Sequence, residues 1–190
     1  DLYIDNFVVV RKVSQGVIRT VAGDVTKGFL RFGGDGGPAT QASLAGPLTL
    51  AVDTVGTLYI GDFWNMRVRR VRRDGIISTL AGNAAFRSSG EGGPGTLAPL
   101  YLPTGVAVDR SGNLYIAENQ RARVRRLAPD GTITTVAGNG LLGFPTEDGV
   151  PATSTSILFP ARVAVDGAGN LYISDGADDR VRRVAPGGIV

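Results

Sequence analysis

The chain has no cysteine and no histidine among its 190 residues. Without cysteine there can be no disulfide, thiolate nucleophile or thiolate metal site. Without histidine the usual general base and the commonest metal ligand are both missing, which removes most hydrolytic triads. No apolar run approaches the roughly 18 residues of a membrane span, and Asp1-Leu2-Tyr3 does not open a signal peptide, so no membrane insertion is expected. A strong charge of one sign is lacking too. Twenty basic against 17 acidic side chains leave a net +3, where nucleic-acid binders show clustered positive charge.

What the chain does have is 43% hydrophobic residues, enough for a sizeable core, together with 28 glycines and 10 prolines. That Gly and Pro content is below the roughly 25–30% of low-complexity chains and reads as turn punctuation. Leu-Tyr-Ile recurs at Leu2, Leu58, Leu114 and Leu171, in steps of 56, 56 and 57 residues, the mark of a repeat array. The same step separates Pro47, Pro103 and Pro160, and the Val-Asp pairs ending at Asp53, Asp109 and Asp166. Repeat units are expected at 1–46 (incomplete), 47–102, 103–159 and 160–190 (incomplete) of one partial domain.

Each unit holds an apolar run (Val106-Ala107-Val108), a turn, a second apolar run (Leu114-Tyr115-Ile116), an Arg-rich run (Arg123–Leu127) and a Thr-rich run (132–136). These read as four short antiparallel strands, rich in β-branched and aromatic residues. The turn Asp109-Arg110-Ser111-Gly112-Asn113 suits a tight hairpin. Consecutive apolar residues in the first two runs predict strands covered on both faces. The Arg-rich third run predicts an outer, wetter strand. Radial four-stranded sheets of this kind make an all-β β-propeller, about fifteen strands here. A stacked β-helix is the competitor, but its repeats are usually much shorter.

The residues resemble the NHL repeat family in its long bacterial form, with glycine-rich connections between blades. The likeness rests on Pro103-Thr104-Gly105-Val106-Ala107-Val108-Asp109, Gly112-Asn113-Leu114-Tyr115-Ile116-Ala117-Glu118, Arg123-Val124-Arg125-Arg126, Thr134-Thr135-Val136-Ala137-Gly138 and Gly34-Asp35-Gly36-Gly37-Pro38-Ala39-Thr40. It implies a six-bladed propeller of which nearly four blades are present. Six such repeats need roughly 340 residues, so a fragment, or assembly with another chain to close the propeller, is expected. Enzymes of this kind generally use histidines around a metal, which this chain cannot supply. Lactonase-like propellers gather Glu, Asn and Asp around calcium, and no matching motif is seen. The likeness is specific for fold and weak for function.

Candidate residues divide into three sets. Asp62, Glu118 and Asp175 end the second strand, and Arg67, Arg123 and Arg180 begin the third five residues later. Each pair is expected to form a structural ion pair rather than part of a metal ring. In the first unit, whose hairpin is two residues shorter, Asp5 is expected to be the unpaired member opposite Val9. Asp35, Glu91 and Asp148 in the glycine-rich connections are expected to cap local amides, with structural calcium as the alternative. Phe29, Arg31, Phe32, Phe63, Trp64, Phe86, Arg87 and Phe144 fall in loops of one face, and aromatics with Arg are enriched at binding hot spots. The ligand-binding set is Phe63, Trp64, Arg87, Arg31 and Phe32, against the reading that the phenylalanines fill grooves between blades. Arg69, Arg70, Arg72, Arg73, Arg125, Arg126, Arg182 and Arg183 are expected to form a solvated rim, which does not favour nucleic acid.

The expected function is a non-catalytic recognition module, bacterial and either secreted or in the cell envelope, binding a protein or glycan over the loop face. No catalytic residue, metal ligand or cofactor is assigned. A calcium-dependent propeller hydrolase or lyase is the alternative, and an architectural spacer in a larger surface protein is a further one.

Overall fold

A computed structural model describes residues 1–29, 31–85, 90–143 and 147–190. Among the described residues the chain forms fourteen strands in four antiparallel sheets. The first sheet holds β1 (Leu2–Asn6), β2 (Val9–Ser14) and β3 (Val17–Ala22). The second holds β4 (Pro47–Val52), β5 (Leu58–Asp62), β6 (Arg67–Val71) and β7 (Ile77–Ala81). The third holds β8 (Pro103–Val108), β9 (Leu114–Glu118), β10 (Arg123–Leu127) and β11 (Ile133–Ala137). The fourth holds β12 (Pro160–Val165), β13 (Leu171–Asp175) and β14 (Arg180–Val184). In each sheet consecutive strands pair, as in a propeller blade. A fifteenth strand is represented only by an isolated bridge between Ile189 and Pro151.

Strand pleating sends alternate side chains to opposite neighbours. Leu58, Ile60 and Val71 pack against Val10 and Ala22 of the preceding blade. Tyr59 and Val68 pack against Val106, Leu114 and Ile116 of the following one. The same alternation joins Val124 to Leu171, Ile173 and Val184. The core is thus a series of layers between blades. Val181 stands where Val68 and Val124 stand in their blades but is 73% exposed, while both of those are fully buried.

The tyrosine of each Leu-Tyr-Ile run reaches the turn that precedes it. The Asp53, Asp109 and Asp166 carboxylates accept backbone N–H bonds from the residues two and four positions on. Each also accepts the hydroxyl of Tyr59, Tyr115 or Tyr172. Burial, reinforced by Asp53, pushes the Tyr59 phenol up to about 12.

The connections leave the fourth strand through Gly23, Gly82 and Gly138. All three have φ near +90°, and a Cβ at Gly138 would lie 2.1 Å from the Ala122 carbonyl. Each connection then runs along the outer edge of the next blade. Gly36 donates to Ile77 O, Ile77 to Gly37 O and Ala39 to Gly75 O, and Gly92, Ile133, Gly93, Gly95 and Gly131 repeat the pattern one blade on. The glycine-rich segments therefore cover the outer strand edge, a row of backbone groups that would otherwise be open to pairing.

Candidate binding face and the arginines that hold it

The outer-rim reading fails for three arginines. Arg69 and Arg125 are 0% exposed and Arg182 is 3% exposed; only Arg72, Arg73 and Arg183 of that group are well exposed. The cause is the pleat combined with a register shift between Val68 and Arg69, repeated at Val124 and Arg125, which aims the side chain inward beneath the glycine-rich connection. Arg69 Nη1 lies 3.2 Å from Asp62 and its Nη2 lies 2.7 Å from Asp35. It also donates to the Gly33 and Ser43 carbonyls. Arg125 joins Glu118 to Glu91, and Arg182 joins Asp175 to Asp148.

Asp35, Glu91 and Asp148 are therefore partners of a buried arginine rather than the expected caps of local amides. Asp35 and Glu91 also accept the hydroxyls of Thr79 and Thr135 in the fourth strand. Each second-strand carboxylate accepts a backbone N–H from 17 residues upstream: Ala45 to Asp62, Tyr101 to Glu118 and Leu158 to Asp175. One carboxylate thus pins the segment entering the innermost strand, and one arginine clamps the connection before it.

The three expected hairpin ion pairs fare differently. Arg123 Nε lies 2.7 Å from Glu118. Asp62 faces Arg67 across the ladder but bonds Arg69 and Asn65 instead. Arg67 turns to the Asn65 carbonyl and stands 3.8 Å over the Phe32 ring. Asp175 likewise bonds Arg182, while Arg180 meets Asp178 at 3.5 Å. The difference is one methylene: glutamate reaches two arginines, whereas aspartate is saturated by the buried one and its backbone donor. In the first blade the pairing of Asn6 with Val9 and Asp5 with Val10 puts Asn6, not Asp5, in the place of Asp62. Asp5 is thus not the unpaired member of the carboxylate series.

Burial raises the Asp62 and Asp175 carboxyls above their ordinary value, against the pull of the neighbouring arginines. Burial, with Arg69 beside it, lowers the Arg67 guanidinium. Among the described residues no three acidic side chains converge as metal ligands.

Above this clamp lies a loop face. Asn65 Nδ2 donates to the Arg31 carbonyl, tying the first connection to the β5–β6 hairpin. Three segments meet at Gly46: its N–H donates to Phe7 O, its carbonyl accepts from Phe63 N, and Trp64 lies directly over it. A Cβ at Gly46 would fall 2.8 Å from the indole. Trp64 is 50% exposed and packs edge-on to Phe63 at 4.9 Å. Phe7, 66% exposed, stacks on Phe29 at 4.6 Å.

Of the expected ligand-binding set, Phe63, Trp64, Arg31 and Phe32 gather here, while Arg87, with Phe86 and Phe144, lies outside the described residues. Sequence reasoning missed Phe7, because the shortened first hairpin hides its equivalence with the Phe63-Trp64 loop. It also missed Asn65 and Lys27, for which no repeat signal exists.

The sequence profile of the teneurin NHL domain matches residues 26–89. Teneurin-m of Drosophila melanogaster is 34% identical over 161 residues, 80% of this chain and 6% of that protein; the chain spans only that small share of the curated relatives it matches. Teneurin-3 of Danio rerio is 30% identical, over the same shares. Both are animal proteins, so they give the expected bacterial origin no support. Among solved structures, a Bacteroides thetaiotaomicron protein of unknown function superposes with a TM-score of 0.70 at 21% identity, covering 95% of this chain and 43% of that one. The repeat, the blade geometry and these likenesses together make the chain a partial β-propeller of the NHL repeat family.

Proposed function

We propose that the chain is a non-catalytic recognition module that binds a protein through the loop face around Gly46, using Phe63, Trp64, Phe32 and Arg31 together with Phe7 and Phe29. The observation carrying this reading is that the Phe7 and Phe63-Trp64 loops meet at Gly46 and leave the Phe7 and Trp64 rings, with Phe29 stacked on Phe7, exposed beside one another. Large rings left half in water make the compact apolar anchors that dominate interfaces. Arg69 holds the segments carrying Phe32 and Phe63-Trp64 from below through Gly33, Ser43 and Asp62, which lowers the ordering cost of binding there.

Glycan binding is the weaker form of the same proposal. Phe7 and Phe29 cover one face of each other and Trp64 turns one face to Gly46, which reduces the open ring area for a sugar. The calcium-enzyme alternative would need free carboxylates, and Asp62, Glu118 and Asp175 are already bonded to arginine and backbone. A virginiamycin B lyase from Staphylococcus aureus shares the fold at 13% identity and a TM-score of 0.56; its catalytically inactive form lacks one histidine, a residue type this chain does not contain. We place the module in a larger extracellular or cell-envelope protein, in keeping with the small share of its relatives that it spans.

Capture of binding proteins on the immobilised native chain, beside a Phe7→Ala/Trp64→Ala variant of unchanged melting temperature, tests the reading. Specific partners should be depleted on the variant. Equal capture by both would overturn the assignment of this face.

A further inference from the structure

Beside the aromatic cluster lies an open pocket of about 720 Å³ lined by Thr26, Lys27, Gly28, Arg31, Phe32 and Ser43. We infer that this pocket receives an acidic, apolar-anchored peptide segment of the protein partner, an inference that rests on the binding face proposed above.

The charge of the pocket is the first argument. Two cations, two hydroxyls and one aromatic ring line it, and no carboxylate does. The nearest acids are already engaged: Asp24 caps Thr26 through both the backbone N–H and the hydroxyl. Asp35 is held by Arg69 and Thr79, and Asp62 is fully buried under Arg69. Arg67 adds a further cation, its guanidinium lying over the Phe32 ring and, among the described residues, hydrogen-bonded to a neutral carbonyl, Asn65 O. Lys27 spends one donor on the Gln41 carbonyl, and its other two remain for a ligand. Lys27, Arg31, Arg67 and Arg69 thus outnumber the three nearby carboxylates, Asp24, Asp35 and Asp62, by one, and Arg69 offsets part of the charge of Asp35 and Asp62 from below. Such a field attracts and orients an acidic chain.

The second argument is what adjoins the pocket. Arg31 is tied through its carbonyl to Asn65, next to Trp64, so the cationic pocket and the apolar shelf of Trp64, Phe7 and Phe29 are contiguous. Carboxylates spaced along a peptide can meet Lys27 and Arg31 while a leucine or phenylalanine side chain rests on the shelf. A free anion would have no use for the shelf, and a sugar would find one face of each ring already covered.

Trp64 is the only tryptophan, so its emission reports this site alone. The probe is the peptide Glu-Glu-Leu-Glu-Glu-Phe-Glu-Glu, with a Gln-for-Glu version as its neutral counterpart and a heparin-derived octasaccharide as the acidic non-peptide. A saturable change of Trp64 emission is expected with the acidic peptide only. Binding should weaken about tenfold in Lys27→Glu/Arg31→Glu and in about 0.5 M NaCl, where screening shortens to a few Å.

Equal binding of the neutral peptide, undiminished binding by the charge-reversed chain, binding of the octasaccharide alone, or no binding of the acidic peptide would each overturn the inference. Failure here is separable from failure of the binding face. If Phe7→Ala/Trp64→Ala depletes captured partners while Lys27→Glu/Arg31→Glu does not, the face stands and the acidic partner falls; if neither variant changes capture, both fall.

Discussion

Replacing Arg69 by methionine keeps most of the side-chain volume and removes the charge from a site with no access to water. Asp62 would keep its bonds from Ala45 N at 2.7 Å and Asn65 Nδ2 at 2.9 Å but lose its bonded countercharge, both partners being 0% exposed. Leaving one member of a buried pair unopposed costs about 3–5 kcal/mol. For a chain of this size, at roughly 2–4 °C per kcal/mol, the melting temperature should fall on the order of 10 °C.

The loss should depend on pH. Burial already holds the Asp62 carboxyl above its ordinary value of 3.8, and removing Arg69 raises it further. A group whose folded value is raised favours folding in its protonated form, so that contribution is whole below the unfolded value and is lost as pH rises through the folded one. The Arg69→Met deficit should therefore be large at pH 7 and shrink toward pH 4. Thermal melts by circular dichroism at both pH values measure it, and Arg69→Lys, with charge but no planar fork, should fall between. A deficit of under about 1 kcal/mol at pH 7, or the same deficit at both pH values, would refute the buried-clamp reasoning.

Gly138→Ala should cost at least about 2 kcal/mol by denaturant titration, because its Cβ would strike the Ala122 carbonyl in addition to the strain of a positive φ. Gly131→Ala, at φ +88° with open space around it, should cost only about 1–2 kcal/mol. Tyr59 should ionise near pH 12 in absorbance titrations, and Asp53→Asn should bring that value down, since both burial and Asp53 hold it up. Because the folded value lies above the ordinary 10.0, the stability contributed by the neutral phenol is whole below pH 10 and is lost as pH rises through about 12. Val124→Asp puts a charge into a fully buried layer and should cost over about 3 kcal/mol, whereas Val181→Asp, at the same place in its own blade but 73% exposed, should cost under about 0.5 kcal/mol.

The spacing of Leu-Tyr-Ile and of the strand-opening prolines was enough to read the fold as a propeller, because the fold repeats one hydrophobic unit. The destination of the arginines was not legible in the same way. Arg67-Val68-Arg69-Arg70-Val71 looks like a strand turned to water, and nothing local says that Arg69 has a carboxylate waiting 34 residues upstream. Nor does counting residues across a hairpin tell which of two arginines an aspartate reaches. That depends on side-chain length, as Glu118 and Asp62 show by pairing differently in the same ladder position. The first blade could have been aligned correctly from sequence, since four residues separate Leu2 from Asn6 as they do Leu58 from Asp62. The aromatic cluster was half legible: Phe63, Trp64 and Phe32 stood out as loop aromatics, while Phe7 belongs with them only through Gly46.

The Arg69–Asp35 contact and its counterparts in the next two blades also redefine what counts as one part of this molecule. The visible part is the sheet, and a designer would cut or recombine the array between sheets, at Pro47 or Pro103. Such a cut falls between Asp35 and Arg69, or between Glu91 and Arg125, and leaves a guanidinium in the interior facing whatever residue the donor array supplies. The interchangeable module instead begins ahead of the glycine-rich connection and ends after the third strand of the following blade. Chimaeras joined in that frame should keep every buried charge matched, and those joined sheet by sheet will need the acidic residue carried across by hand.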